Sequence, residues 1–331
     1  MKAATATMRR GDKPPGTTTT TDIGPVGAAH VPVMGGVVVA WLRPRPGARL
    51  VDATVGGGGH AAALLAAAPD TILLGLDRDP EALARAARRL AASGGRVILQ
   101  QATFADLRSV LGALGWEGAD AVLLDLGVSS PQLDDPARGF SFRAQSALDM
   151  RMDPAAALDA ATVVNTWPER QLARVIAEYG EEPRARAIAR AIARARPLGT
   201  TTDLARVVTG VLGRGRPGLH PATRTFQAVR IAVNDELGVL DRFLTDGYAV
   251  LRPGGRLAIL AYHSLEDRRV KEGFRRWAAK CLCPPRVPRC SCGWSAKVRL
   301  LTRRPLRPEA AEVTANPRAR SARLRVVERL V

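Results

Sequence analysis

The sequence predicts an α/β domain with a mostly parallel, helix-covered sheet that a helical insertion interrupts. Between residues 49 and 126, short apolar runs alternate with segments of helical periodicity, whereas residues 133–219 show helical periodicity alone. Strands that alternate with helices form parallel sheets covered on both faces. Because 46% of the 331 residues are hydrophobic, we expect a well-buried core, in one large domain or in one domain plus a smaller one.

The first part of the α/β pattern contains four predicted strands and three predicted helices. Pro80 stands just before the second helix, where a first turn tolerates proline. The fourth strand is almost wholly apolar, as expected of a strand buried inside a parallel sheet. The predicted strands are 49–52, 71–77, 96–100 and 119–126, and the predicted helices are 60–68, 81–92 and 106–114.

The helical insertion is predicted from apolar spacing, as between Ile188 and Ile192. Three arginines that lie four residues apart share one face of a predicted helix, and this face either binds phosphates or is simply solvated. These arginines are Arg186, Arg190 and Arg194.

The α/β pattern resumes after the insertion, which sets the predicted domain boundaries. The Thr-, Gly- and Pro-rich stretch 1–27 is predicted to be a disordered extension. The α/β domain then comprises 28–132 and 220–331, with 133–219 inserted. Its later elements are predicted as a long helix at 223–244, a turn at 253–255, a strand at 256–262, a helix at 265–279, and strands at 298–302 and 324–327.

The charge of the chain indicates a polyanionic partner. The formal net charge is +18. From residue 268 to residue 331 there are 18 Lys+Arg and 4 Asp+Glu, a net of +14 (18 − 4). Such clustering favours a nucleic-acid partner over a tail that only aids solubility. No stretch reaches the roughly 18–20 apolar residues that span a membrane, so we expect no membrane association and a cytoplasmic location with reduced thiols.

A run of four glycines follows the first predicted strand and precedes a helix. Glycine lets the backbone approach a ligand closely, and the start of a helix offers free N–H groups. Asp77 ends the next strand, where a carboxylate can accept hydrogen bonds from ribose hydroxyls. The pattern Gly57-x-Gly59-x-x-Ala62 also fits a dinucleotide site. Asp52 favours S-adenosylmethionine over NAD, because a carboxylate there suits a sulfonium and an ammonium better than a pyrophosphate.

The candidate reaction site lies at the end of the fourth strand. Ligands of open α/β sheets bind beyond the carboxyl ends of the strands, so Asp125 and the turn that follows it should lie beside the cofactor. An exocyclic base amine is a poor nucleophile, because its lone pair is delocalised into the ring. Asp125, with Ser129 and Ser130, could accept its N–H bonds and turn the lone pair toward the methyl group. The alternative is a capping role for Asp125.

All four cysteines of the chain fall within twelve residues. Their spacing, C-x-C-x₆-C-x-C, could bind a structural zinc in a reducing compartment, although C-x-C is tighter than the usual spacing. The alternatives are reduced thiols in a basic hairpin or a labile disulfide. The four residues are Cys281, Cys283, Cys290 and Cys292.

Seven segments in order are similar to one known family. They are DLGVSSPQLD at 125–134, RGFSF at 138–142, LDMRMD at 148–153, YGEE at 179–182, HPATRTFQAVR at 220–230, HSLEDR at 263–268 and NPRARS at 316–321. Together they resemble the RsmH (MraW) family of bacterial 16S rRNA (cytosine-N4)-methyltransferases, from about residue 30 to the end of the chain. The glycine loop is a close variant of the family's usual Gly-Thr-x-Gly-x-Gly-Gly-His.

The resemblance implies a Rossmann-like fold of class I S-adenosylmethionine-dependent methyltransferases. It also implies N4-methylation of a cytidine in the decoding region of 16S rRNA, within the small ribosomal subunit, and a substrate-recognition role for the insertion. The cofactor contacts that it implies are Gly58, Gly59, His60, Asp77, Phe104, Asp125 and Gln132.

Two other classes of function compete with a methyltransferase. One is a nicotinamide-dependent oxidoreductase on a similar sheet, and the other is an RNA-binding protein without catalytic activity. Binding of S-adenosylmethionine rather than NAD would exclude the first, and methyl transfer would exclude the second.

Overall fold

A computed structural model of the chain describes residues 31–213, 220–284 and 289–330. The predicted N-terminal extension at 1–27 lies outside these residues. None of the helices that the structure describes is both long and apolar enough to cross a lipid bilayer.

One seven-stranded sheet forms the centre of the α/β domain, and it confirms the predicted fold class. Its strand order is β3-β2-β1-β4-β5-β7-β6. Neighbouring strands from β3 to β5 are parallel, whereas β7 runs antiparallel to both β5 and β6. The strands are β1 Arg49–Asp52, β2 Ile72–Asp77, β3 Val97–Gln101, β4 Ala119–Asp125, β5 Leu251–Ala261, β6 Val298–Leu300 and β7 Arg323–Arg329.

The helices fall into two groups. Those of the α/β domain are α1 Gly35–Leu42, α2 Gly59–Ala67, α3 Pro80–Leu90, α4 Leu107–Ala113, α11 Glu236–Asp246, α12 Ser264–Ala278 and α13 Ala310–Ala315. Those that follow β4 and precede α11 are α5 Ser130–Asp134, α6 Ala160–Thr166, α7 Glu169–Gly180, α8 Ala185–Ala195, α9 Thr201–Leu212 and α10 Thr223–Asn234. As the sequence predicts, the described part of 133–219 contains no strand of the sheet.

The second group of helices has a hydrophobic core of its own. Leu172 and Ile176 of α7 pack with Ile188 of α8 and with Phe226 of α10. Helix α10 therefore belongs to this layer, although it follows the predicted insertion. The arginine face predicted on α8 is exposed at all three positions.

Two predicted elements are wrong in detail. The long helix predicted at 223–244 is two helices, because Asp235 adopts a left-handed conformation (φ 47°) that ends α10 and begins α11. The predicted turn at 253–255 lies within β5, where the pairing with β4 shifts between Ala119 and Ala121. A bulge accommodates the Pro-Gly-Gly residues without ending the strand.

The order in which the chain adds strands to the sheet reverses between β1 and β4. The chain runs outward from β1 to β2 and β3, and then returns to place β4 on the other side of β1. Ligands of open α/β sheets bind in the crevice beyond the carboxyl ends of strands at such a switch point. The carboxyl ends of β1, β2 and β4 therefore define the region in which a site is expected.

Candidate active site

Three aspartates end the three strands beside the switch point. Asp52 ends β1, Asp77 ends β2 and Asp125 ends β4, and these strands are neighbours in the sheet. The structure thus places together three of the residues that the sequence analysis names. Burial raises the pKa of each carboxyl group above its ordinary value.

Asp52 lies beneath the glycine loop and is only 1% exposed. Its Oδ1 accepts a hydrogen bond from the backbone N–H of Thr54, at 3.3 Å. Burial, together with the negative charge of Asp125, raises the pKa of Asp52 to about 8. Asp52 therefore carries a proton at neutral pH as long as no cation lies beside it.

The glycine loop is fastened to the end of β2 by Asp77. One carboxylate oxygen accepts from the N–H of Gly56 and the other from the N–H of Asp79, both at 2.9 Å. Gly56 and Gly58 have positive φ, at 52° and 77°, which a side chain would disfavour. A Cβ on Gly58 would also come within 3.4 Å of Ala86 in α3, so this glycine allows the loop to pack on the neighbouring helix.

Asp125 has a 30% exposed side chain at the edge of the cleft. Its backbone N–H donates to the hydroxyl of Thr54 at 2.6 Å, which ties β4 to the loop after β1. The hydroxyl of Tyr262 donates to Oδ1 at 2.7 Å, and Nε2 of His60 lies 3.9 Å from Oδ2. Burial raises the pKa of Asp125 to about 7, although the Tyr262 hydrogen bond lowers it, and the charge of Glu266 contributes to the increase.

Tyr262 is a site residue that the sequence analysis missed. It follows β5 directly, and its backbone N–H donates to the carboxylate of Glu266 at 2.8 Å. Glu266 also accepts from the N–H of His263, the N-cap residue of α12. Its position in the sequence could have indicated this role, because Tyr262 directly follows the strand that pairs with β4 and therefore lies at the same edge of the sheet as Asp125.

The turn after β4 begins helix α5, with Ser129 as its N-cap and Ser130 as its first residue. The side chain of Gln132 accepts from the N–H of Ser129 at 3.0 Å and donates to Asp79 at 2.8 Å. Gln132 is buried. In this structure it therefore fixes the turn after β4 against the start of α3.

A buried ion pair connects this turn to the helical layer, and sequence reasoning did not find it. Arg138 donates to Asp79 at 2.9 Å, and Asp79 is fully buried. The same guanidinium donates to the backbone carbonyls of Arg151 and Met152. No local pattern predicts such a pair, since its partners are 59 residues apart.

Phe104 and His60 are both buried. The ring of Phe104 packs edge-on against Phe243 of α11, with centroids 5.8 Å apart. His60 lies in the first turn of α2, directly after the glycine loop. Phe104 follows β3 at the carboxyl edge, where an apolar ring can pack against adenine.

The sheet order, the glycine loop after β1 and the acidic residues at the strand ends define a class I methyltransferase fold of Rossmann-like type. A model of the MraW methylase family matches residues 27–330. The chain belongs to the MraW methylase family.

Curated relatives share about half of their residues with this chain. Ribosomal RNA small subunit methyltransferase H from Thermomicrobium roseum is 52% identical over 310 residues, which are 92% of this chain and 95% of the relative. The protein of the same name from Symbiobacterium thermophilum is 51% identical over 91% of this chain and 96% of its own length.

The likeness to one solved structure is much weaker. An rRNA methylase from Streptococcus thermophilus is 14% identical, with a TM-score of 0.36 over 90% of this chain and 94% of that chain. A likeness of this size does not bear on function.

Proposed function

We propose that this chain transfers a methyl group from S-adenosylmethionine to N4 of a cytidine in the decoding region of 16S rRNA, in the cytoplasm. The family and the printed names of the relatives support a small-subunit rRNA substrate. The observation that carries the proposal for the cofactor is the set of three carboxylates at the ends of β1, β2 and β4.

The residues of the cleft fit this cofactor. Three neighbouring acidic groups with raised pKa values favour a ligand that carries positive charge, because a cation stabilises their ionised forms. The pyrophosphate of NAD would instead add negative charge beside them. A Cβ on Gly57 would meet no atom within 4 Å, so the loop has open space beside it. S-adenosylmethionine, when bound, supplies a methyl group activated by a positively charged sulfur.

Asp125 is the residue that we assign to the target amine. The Tyr262 hydroxyl occupies Oδ1, so Oδ2 is the oxygen to which we assign the N–H of the base. An accepted N–H bond turns the nitrogen lone pair away from the carboxylate and toward the methyl group. Without a ligand the pKa of Asp125 is about 7, and a bound cation favours its ionised form, which can accept a proton from N4.

We assign the remaining cofactor contacts to Gly58, Gly59, His60, Asp77, Phe104 and Gln132. Asp52 is buried below the glycine loop, and the negative charge of its ionised form attracts the cationic cofactor. Ser129 and Ser130 shape the turn beside Asp125. The inserted region 133–219 is assigned to rRNA recognition, and the target base has to leave its stack in order to reach the cleft.

Exposed arginines supply two surfaces for phosphates. One is the α8 face with Arg186, Arg190 and Arg194, and the other is a C-terminal group at Arg303, Arg304 and Arg307. Reversal of the C-terminal group to glutamate should lower affinity for rRNA at least 10-fold. It should also reduce the slope of log K against log salt by roughly 2 to 3, because three phosphate contacts are lost. The affinity for S-adenosylmethionine should stay unchanged, and an equal loss of both affinities would refute separate surfaces.

The test of the function uses small subunits from cells that lack this protein. Purified protein and methyl-labelled S-adenosylmethionine should place label in 16S rRNA, and digestion to nucleosides should yield N4-methylcytidine from one decoding-region fragment. Label in another nucleoside or in the large subunit would overturn the proposal. Tight binding of NAD without binding of S-adenosylmethionine would overturn the cofactor assignment.

A further inference from the structure

The four cysteine thiols converge in the segment between α12 and β6. Their sulfur atoms all lie within 4.8 Å of one another. The Sγ distances are 3.3 Å for Cys281–Cys290, 3.5 Å for Cys290–Cys292, 3.7 Å for Cys281–Cys292 and 3.9 Å for Cys283–Cys290. A disulfide would bring two sulfurs to about 2.05 Å. The four residues are free thiols.

We propose that these four sulfurs hold one structural zinc ion. Zn–S bonds of about 2.3 Å in tetrahedral arrangement separate the sulfurs by about 3.8 Å, and the distances above lie around that value. Binding forms four Zn–S bonds and releases the thiol protons to solvent. No open coordination position remains, which is typical of a structural rather than a catalytic site.

Backbone N–H groups explain how the short C-x-C spacing can work. The N–H of Leu282 donates to the sulfur of Cys292 at 3.4 Å, and the N–H of Cys283 donates to the sulfur of Cys281 at 3.3 Å. Such donors stabilise a thiolate and orient it. Leu282, which lies between the first two cysteines, therefore donates its backbone N–H to a cysteine of the second pair. This hydrogen bond joins the two C-x-C motifs into one site.

The charges of the segment suit a zinc tetrathiolate. One Zn²⁺ with four thiolates carries a net charge of −2 (2 − 4). From Lys280 to Lys297 the sequence contains four basic residues and no acidic residue. The segment therefore supplies compensating positive charge in its immediate sequence.

The cysteine segment, residues 279–297, has few other means of holding its shape. Its described residues form no helix or strand, none of them is buried, and Leu282 is 41% exposed. At its base, Trp294 donates to the carbonyl of Ala279 at 3.0 Å within the segment. The contacts with the rest of the domain include the edge-on packing of Trp294 against Tyr248 and the hydrogen bond from the N–H of Lys297 to the carbonyl of Trp277 at 2.8 Å. A metal can supply the missing stabilisation, since structural zinc contributes folding energy directly.

The zinc site is remote from the cleft. Helix α12 starts at the carboxyl end of β5 and has 15 residues, so it carries the chain about 22 Å toward the opposite edge of the sheet before Cys281. The site is therefore separate from methyl transfer, and its loss can be distinguished from loss of the cofactor pocket.

The test measures the metal content of the full chain, purified under reducing conditions from zinc-replete cells. We expect about one zinc per chain in the wild type and none in the Cys281→Ser, Cys290→Ser double variant. The control Ser291→Ala, between two of the ligands, should keep the metal. The affinity of the double variant for S-adenosylmethionine should stay within 2-fold of wild type.

A second measurement does not depend on the folding of a variant. Titration of the metal-free wild type with Co²⁺ should give the intense visible bands of tetrahedral cobalt with thiolate ligands, and Zn²⁺ should then displace them. The proposal would be overturned if the wild type stayed metal-free after reconstitution or bound iron in preference to zinc. A mass lower by two hydrogens, which indicates a disulfide between two of the cysteines, would also overturn it.

Discussion

The carboxyl edge of the sheet and the cysteine segment both gather groups that repel one another when ionised, but they hold them by different means. At the sheet edge, buried strands and backbone N–H groups position Asp52, Asp77 and Asp125. In the cysteine segment, the thiols lie on exposed chain without regular structure in its described residues.

The difference concerns what happens when the cation is absent. The sheet edge keeps its geometry because the core determines it, and its acidic groups respond by retaining protons. The exposed segment has no core, so we expect its order to depend on the metal. A cofactor site that must exchange its ligand suits the first arrangement, whereas a permanent structural ion suits the second.

The largest effect should follow removal of the charge at Asp125. Asp125→Asn should lower methyl transfer to small subunits by roughly 100-fold or more, because the amide cannot accept the proton of the target amine. Circular dichroism and the melting temperature should stay near wild type. Asp120→Asn, at the opposite end of the same strand, is the matched control and should keep its activity. Equal activity of both variants would remove Asp125 from the reaction site.

Chelation should separate the two regions. A zinc chelator under reducing conditions should abolish hydrogen-exchange protection across peptides of residues 279–297 while protection stays unchanged near Ala53, whose N–H donates to Leu123 of β4 at 2.9 Å. The physical reason is that only the segment lacks a core. Loss of protection in both regions would show that they fold as one unit, and loss in neither would contradict a metal-dependent segment.

A smaller effect is expected at the hydroxyl that bonds to Asp125. Tyr262→Phe removes a hydrogen bond that lowers the pKa of Asp125, so the pKa should rise above about 7. Activity should fall roughly 3- to 10-fold at pH 7 and recover toward wild type at higher pH. The pH profile of the methyl-transfer rate, measured from pH 6 to pH 9, should therefore shift to higher pH in the variant. A uniform decrease at every pH would indicate a structural role only.

The last effect concerns the pH dependence of stability without cofactor. Asp52 has a folded pKa of about 8 and an ordinary value of 3.8, so between these pH values the folded state holds a proton that the unfolded state has lost. The free energy of unfolding should therefore decrease as pH rises from about 4 to 8.

Asp52→Asn removes this titration and should make the dependence less steep, while the contributions of Asp77 and Asp125 remain. Urea unfolding at pH 5, 6, 7 and 8 compares the variant with wild type. Parallel curves for the two proteins would contradict the raised pKa of Asp52.

Much of the fold was predictable because its signals are local. Apolar runs gave the strands near their observed bounds, and the Gly-rich turn between β1 and α2 marked the cofactor loop. The break at Asp235 was not predictable, since the apolar spacing continues across it and only the left-handed backbone of one residue separates the helices. The roles assigned to individual cofactor residues remain predictions.

By itself the sequence determined the α/β class, the position of the glycine loop, the acidic strand ends and the proximity of the four cysteines along the chain. Tertiary structure alone decided that Tyr262 meets Asp125 across 137 residues, and that Arg138 neutralises the buried Asp79. The reason is that periodicity and turn chemistry act over a few residues. The partner of a buried charge, in contrast, is chosen by the packing of strands and helices that lie far apart in the chain.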